Sequence, residues 1–490
     1  MALCFFLSAS VLLLALFCHH ATALQQAIHD DGCVHLPIVH STNVAHFSNK
    51  RGIQLQLANR SDVAYYAQLS LGTPPQPVFV QLDTGSFELW VNPDCTTVSG
   101  GDAVFCQRAG HYESTASSTA TSLGTTRTLR YGIGAANISY FTDTISLAGS
   151  PMALRDVQFG VATASVDAFS GILGIGYGKG IATRYPNFVD QLREQNATRV
   201  KAYTLALGSK DAQEGVIVFG GVDTSKFTGK LTKLPIIPAA QAPDGVPRFW
   251  VDMQALSITP PNGVTTVYEG SSMPVFLDSG STMTLLPANL TTAVARDFGA
   301  ESPDSNGFYM IDCALTALNG TLDFVFNGVT VKVPYKELTR EVASTPPSCF
   351  LGIMASDRFT LLGDTFLRSA YTVFDLETDS IWMTQATNCG SSPAALSNIQ
   401  DLSVVVGACG AGASEDIDTT SSTQFPSTAV EDFESGAIPT STGSLGPQVS
   451  EVAPPDQASP IPENSGPSLR TVGFIWSLGI VGAVHLLAGL

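Results

Sequence analysis

Two short segments of this 490-residue chain carry side chains that could act on each other: Asp83-Thr84-Gly85-Ser86 and Asp278-Ser279-Gly280-Ser281. Each follows an apolar run, Val78-Phe79-Val80-Gln81-Leu82 in one case and Pro274-Val275-Phe276-Leu277 in the other. The pattern is apolar strand, acid, small hydroxyl, glycine, small hydroxyl, and the copies lie about 195 residues apart. A D-[ST]-G tripeptide arises by accident in a chain of this length with odds of roughly one in four. Matching contexts make accident a poor account of two. The bland alternative is a pair of ordinary Asx turns at strand ends. A matched pair points instead to a site built from two related halves, one acid from each.

Two carboxylates brought face to face cannot both ionise easily, so they share one proton and titrate as a pair. The ionised partner can take a proton from a water held between them, while the protonated partner donates to a carbonyl oxygen. That combination hydrolyses an amide with neither metal nor covalent intermediate, and it works best in acid. Gly85 and Gly280 let backbone approach the carboxylates. Ser86 and Ser281 are expected to hydrogen-bond the outer carboxylate oxygens, and Thr84 and Ser279 to cross-link the two turns. No cofactor or metal is expected, since the sequence has no C-x-x-C and no His cluster.

The elements that must position these turns are mostly strands. Short β-rich runs such as 64–71, 216–219, 324–326 and 371–374 are punctuated by Gly, Pro and Asp. Helical stretches are few, with 188–195 and 290–298 the clearest. A second element also repeats. Gly171-Ile172-Leu173-Gly174 follows the first acid by about 90 residues, and Thr360-Leu361-Leu362-Gly363 follows the second by about 85. An apolar pair ending in glycine lets one segment cross tightly under another. About 340 residues, from Gly52 to Gly390, are too many for one ordinary core. The expected fold is mainly β and bilobal: an N-terminal lobe over 52–235, a C-terminal lobe over 236–390, and a cleft between them.

At this level of detail the chain resembles the pepsin-like (A1) aspartic proteases, over roughly Tyr65 to Met383. The carrying segments are Asp83-Thr84-Gly85-Ser86-Phe87-Glu88-Leu89-Trp90, Tyr131-Gly132-Ile133-Gly134, Val218-Phe219-Gly220-Gly221-Val222-Asp223 and Leu362-Gly363-Asp364-Thr365-Phe366-Leu367-Arg368. The resemblance implies Asp83 and Asp278 as the catalytic pair, Tyr131 as the flap residue over a peptide or protein substrate, and Trp90 as its hydrogen-bond partner. Taken alone, Tyr131 would read as a half-buried strand aromatic and Trp90 as core. Gly132, Ile133, Gln81 and Thr282 are the further positions expected near substrate. Some fungal relatives that cut after basic residues place an acid where Ile133 or Gln81 stands here. A buried Lys would find no partner at either, so a hydrophobic or broad cleavage preference is expected.

The ends of the chain suggest how such a domain would be delivered. Residues 1–23 read as a secretory signal ending in Ala21-Thr22-Ala23. Lys50-Arg51 is a dibasic processing site, making 24–51 a propeptide. Residues 391–464 are rich in Ser, Thr, Pro and acids and read as a disordered, O-glycosylated stalk. Residues 465–490 end in an apolar run, and Asn464-Ser465-Gly466 precedes a polar spacer. That arrangement is a GPI-attachment signal with Asn464 as the attachment residue, and it narrows the resemblance to yapsin-like fungal proteases. The expected location is the extracellular face of the plasma membrane or the cell wall, with a membrane as partner through the anchor and the protein otherwise monomeric. The net charge of −18 argues against nucleic acid.

Nine cysteines fit a secreted chain. Cys4 and Cys18 would leave with the signal and Cys33 with the propeptide. Among the rest, Cys95 with Cys106, Cys313 with Cys349 and Cys389 with Cys409 are the expected disulfides. Asn59, Asn137, Asn196, Asn289 and Asn319 head glycosylation sequons. The rival functions are a non-catalytic peptide-binding or inhibitory protein on the same fold, a structural wall glycoprotein, and a two-carboxylate glycosidase. The presence of both acids opposes the first, the paired turns oppose the second, and the repeated D-[ST]-G turns oppose the third.

Overall fold

The computed structural model describes residues 32–40, 64–92, 94–96, 106–132, 134–147, 152–166, 170–212, 214–342, 347–398 and 401–410. The signal, the Lys50-Arg51 pair, Asn59, Ile133, Asn464 and the C-terminal tail lie outside the described residues.

The apolar run before the first acid forms the strand Gln76–Asp83. Its burial alternates at the start and then becomes continuous, so that Gln81, Leu82 and Asp83 are all buried. A strand covered on both faces belongs inside a sheet. The sheet here has thirteen strands. From one edge it runs Thr121–Arg130, Ala135–Leu147, Ala153–Val166, Leu89–Val91, Gly171–Gly174 and then the first acid strand. It continues through Tyr65–Leu71, Val34–His40, Glu214–Phe219 and Ala202–Ala206, and finishes with Ala370–Asp375, Ser380–Gln385 and Thr232–Pro235. The second acid strand, Met273–Leu277, lies in a separate eight-stranded sheet between Trp250–Thr259 and Leu361–Leu362.

The local wiring around the two acids is the same. Gln76–Asp83 pairs in parallel with Gly171–Gly174, which pairs antiparallel with Leu89–Val91, which pairs in parallel with Ala153–Val166. Met273–Leu277 pairs in parallel with Leu361–Leu362, which pairs antiparallel with Thr284–Leu286, which pairs in parallel with Ile353–Ala355. The repeated apolar-apolar-glycine segments are thus the strands beside the acids. Their last glycines are needed for the close crossing. A Cβ on Gly174 would lie 2.5 Å from Glu88 N, and one on Gly363 2.3 Å from Met283 O.

The two halves also share one core. Tyr203 stacks on Phe374 at 4.9 Å between ring centroids, and Phe249 meets Phe374 at 4.8 Å and Tyr177 at 5.3 Å. These rings join segments from both sides of the expected boundary at 235/236, and the strand Ala370–Asp375 pairs directly with Ala202–Ala206. The expected helices appear as Phe188–Glu194 and Ala288–Asp297.

Two expected boundaries need correction. The stalk does not begin at 391. Pro393–Ala395 pairs with Gly221–Asp223, Val406 bridges Lys230, Leu402 is buried, and the Cys389–Cys409 disulfide closes this segment onto the body. Composition averaged over a long polar stretch hides a few apolar anchors. At the other end, Val34–His40 lies before the expected lobe start at 52, yet it is an interior strand between Glu214–Phe219 and Tyr65–Leu71. Cys33 at its head is fully buried. The other two disulfides, Cys95–Cys106 and Cys313–Cys349, are formed.

Candidate active site

Each acid sits where its strand ends and turns. Asp278 N donates to Leu362 O at 3.1 Å, and Asp83 O accepts from Ile175 N at 2.9 Å, so both acids are pinned to the adjacent apolar-glycine segment. The turns then fold back on their own carboxylates. Gly85 N donates to Asp83 Oδ1 at 2.8 Å and Gly280 N to Asp278 Oδ1 at 2.9 Å.

The turns are tied to each other by four bonds. Thr84 Oγ1 donates to Leu277 O at 2.9 Å, and Ser279 Oγ donates to Leu82 O at 3.0 Å. In return, Ser279 N donates to Thr84 Oγ1 at 2.9 Å and Thr84 N to Ser279 Oγ at 3.1 Å. Both hydroxyls act as donor and acceptor at once, which only Ser or Thr can do at this length. Gly85 is required by proximity: a Cβ there would lie 2.5 Å from Asp278 Oδ1.

The two serines behave differently. Ser86 Oγ donates to Asp83 Oδ2 at 2.5 Å. Ser281 does not reach its acid as expected; its Oγ donates to Met283 O at 2.9 Å. Asp278 Oδ2 is consequently buried without a donor. The carboxyl of Asp83 is the neighbour within hydrogen-bonding reach, and two carboxylates can bond only when one carries a proton. Burial pushes the Asp278 carboxyl well above the ordinary carboxylate range, and the charge of Asp83 pushes it further. The Arg248 guanidinium and the Gly280 N–H pull it part of the way back. The surroundings of Asp278 thus favour its protonated form, opposite an Asp83 that accepts from two donors.

Tyr131 lies at the turn between Thr121–Arg130 and Ala135–Leu147, with Gly132 exposed beside it. Trp90 Nε1, fully buried, donates to Tyr131 Oη at 2.7 Å. Burial and the nearby Asp83 raise the Tyr131 hydroxyl well above its ordinary range, so it stays neutral and able to donate. Gln81 is not open to the cleft: it is buried, and its Nε2 donates to Gly280 O at 3.1 Å. Thr282 is also buried.

Sequence reasoning missed two groups. Glu88, fully buried, accepts from Arg127 Nη1 at 2.7 Å and from Tyr140 Oη at 3.0 Å, and its other oxygen accepts from Tyr185 Oη. The pair Glu88–Arg127 ties the strand after the first acid to the hairpin that carries Tyr131. An acid between Phe87 and Leu89, just ahead of the apolar strand Leu89–Val91, was the available signal. Arg248, buried, donates to Gly85 O at 2.8 Å; no periodicity marks it. Among the described residues no group of three His, Cys, Asp or Glu side chains converges to hold a metal.

Known proteins share this arrangement of chain. The eukaryotic aspartyl protease family model matches residues 64–386. Secreted aspartic protease 8 of Candida albicans is 34% identical over 354 residues, covering 70% of this chain and 81% of that protein. Probable aspartic-type endopeptidase opsB of Aspergillus oryzae is 32% identical over 344 residues, covering 66% and 69% respectively. The crystal structure of the aspartic proteinase from Irpex lacteus, at 19% identity, covers 73% of this chain and 98% of that one with a TM-score of 0.53, and shares the fold. Because the family match runs through both acid turns and most of the folded residues, the chain belongs to the eukaryotic aspartyl protease family and is an endopeptidase that hydrolyses peptide bonds.

Proposed function

We propose that Asp83 and Asp278 are the catalytic pair, with the resting proton on Asp278. The observation that carries this reading is the buried, donorless Asp278 Oδ2, in a carboxyl that feels Asp83, between reciprocally tied turns. A water between the carboxyls loses a proton to Asp83 as its oxygen bonds to the peptide carbon. Asp278 gives its proton to the carbonyl oxygen, producing a neutral tetrahedral diol. As the C–N bond breaks, Asp83 returns its proton to the leaving nitrogen and Asp278 recovers one from the diol. Tyr131, held by Trp90, closes over the substrate. The decisive measurement is hydrolysis of a denatured protein across roughly pH 3 to 7, with and without pepstatin. Acid hydrolysis blocked by pepstatin is expected; none in the processed chain would sink the reading.

The enzyme is proposed to reach the cell exterior through residues 1–23. The Candida albicans relative is named as secreted. Cleavage after Arg51 is kept as the maturation step, but it would leave Val34–His40 in register with Glu214–Phe219, so a nicked chain should keep that strand bound until it is displaced. The acidic stalk is placed after Gly410, with GPI attachment at Asn464 tethering the enzyme to membrane or wall as a monomer. The asparagines of the sequons at 137, 196, 289 and 319 are exposed. Asn137 pairs with Thr128 in the hairpin that carries Tyr131, where a glycan would narrow access for folded substrates. Release from cells by phosphatidylinositol-specific phospholipase C tests the anchor. For specificity, Gln81 is committed to Gly280, which supports a pocket without an acid and a hydrophobic or broad preference. Ile133→Asp should improve cleavage after Lys, and no gain would count against this pocket.

A further inference from the structure

Each acid turn also receives a side chain from the opposite lobe, on the carbonyl of its glycine. Gln81, on the first acid strand, donates to Gly280 O at 3.1 Å. Arg248, just ahead of Trp250–Thr259, donates from Nη1 to Gly85 O at 2.8 Å. These bonds repeat, one shell outward, the reciprocal exchange between Thr84 and Ser279. The donors differ: a neutral amide serves one turn and a guanidinium the other.

The guanidinium is fixed on several sides. Its Nε donates to Asp244 Oδ2 at 2.8 Å, and it lies 5.1 Å from the Phe276 ring centroid. Asp244 Oδ1 accepts in turn from Val246 N at 3.0 Å and Trp250 Nε1 at 3.3 Å. Arg248 itself is 3% exposed, so it contributes little surface to a substrate. A buried cation is costly unless paired and hydrogen-bonded, and the Gln81 bond shows that a neutral side chain can tie such a turn. The charge must therefore be accounted for separately from the tie.

We propose that Arg248 is a positioning residue for the acid pair: it holds the first turn through the Gly85 carbonyl, and its charge, partly balanced by Asp244, faces the carboxyls. The proposal rests on Asp83 and Asp278 being the catalytic pair. Arg248 is the leading influence opposing burial and Asp83 at the Asp278 carboxyl. Among the described residues, Tyr131 from the hairpin and Tyr203 from Ala202–Ala206 also feel the charge of Asp83 and are held neutral by burial, and Glu88 acts on Tyr131 in turn. None of these supplies positive charge. Arg248 would thus keep the pair's last proton exchangeable where burial alone would lock it on.

The test is the pH profile of kcat and of kcat/KM for a peptide substrate, on the processed enzyme, in three variants. Arg248→Met removes the charge at similar length. Its kcat at the optimum should fall about tenfold, the scale of one lost charged hydrogen bond, and the alkaline limb should move to higher pH with KM little changed. Arg248→Lys should bring the limb back while recovering only part of kcat, because one ammonium cannot reproduce the fork to Gly85 and Asp244. Asp244→Asn uncovers the guanidinium charge and should move the limb the other way, to lower pH. A purely structural brace would lower kcat at every pH and leave the limb where it was. Limbs that stay put, or that move in the same direction in Arg248→Met and Asp244→Asn, overturn the proposal. Should Arg248→Met not fold, the downward shift in Asp244→Asn and the unmoved limb in Arg248→Lys decide it. An inactive wild type would overturn the catalytic assignment itself, and the proposal with it.

Discussion

The two acid turns share a backbone and differ in electrostatics. Both acids end a strand, both carboxylates accept from the glycine N–H two residues on, and both are flanked by an apolar pair and a glycine. Around Asp83 the donors multiply, with Ser86 on its outer oxygen. Around Asp278 they do not, because Ser281 turns away to Met283 O, leaving Oδ2 bare. Nearly identical tetrapeptides thus make one carboxyl suited to hold negative charge and one suited to hold a proton. In this duplicated site the inequality gives proton transfer a preferred direction.

The largest effect should come from breaking either half. Asp83→Asn and Asp278→Asn should each lower kcat about 10³-fold or more, read as hydrolysis at acid pH. A variant of either that kept near-normal activity would mean the halves do not act as one site. Cutting the tie between them comes next. Thr84→Val or Ser279→Ala each leaves buried backbone groups unpaired and should cost roughly 1–3 kcal/mol of stability, measured by denaturant unfolding. The four bonds fall two to each hydroxyl with none in common, so a double variant that costs less than the sum of the two would reveal coupling through the turns themselves.

The inequality has its own test. Ser86→Ala should lower kcat about tenfold by stripping a donor from the charged acid. Ser281→Ala should leave kcat within about twofold, because its bond goes to a backbone carbonyl. Equal losses would mean that the carboxyls are equivalent after all.

The smallest effect is on stability with pH. Asp278 and Glu88 are both held above their ordinary values of 3.8 and 4.5, chiefly by burial. For an acid whose folded value is raised, the stabilising contribution is complete below the ordinary value and fades as pH rises through the folded one. The melting temperature should therefore decline from acid toward neutral pH. Glu88→Gln removes one titration and should flatten part of that decline. An unchanged slope would place Glu88 outside the titrating set.

The strands, both helices, the repeated acid turns and the glycine crossings were legible because local pattern dictates them. Alternating apolar residues need a sheet, and Gly174 and Gly363 admit backbone where no Cβ fits. The late folded segments 391–398 and 401–410 were legible only through the Cys389–Cys409 pairing, since Leu402 and the strand Pro393–Ala395 act through partners far along the chain. Arg248 and Glu88 were missed for the same reason: a single charge in an apolar stretch says nothing of what it faces.

By itself the sequence determined the chemistry, two acids in matched turns, and hence the family. Which acid keeps the proton was decided only in three dimensions. Burial, the orientation of Ser281, and an arginine 163 positions beyond Gly85 set that balance, and none of them is a property of a tetrapeptide. Proton affinity depends on solvent exclusion and on charges brought close by folding, and the chain specifies those only as a whole.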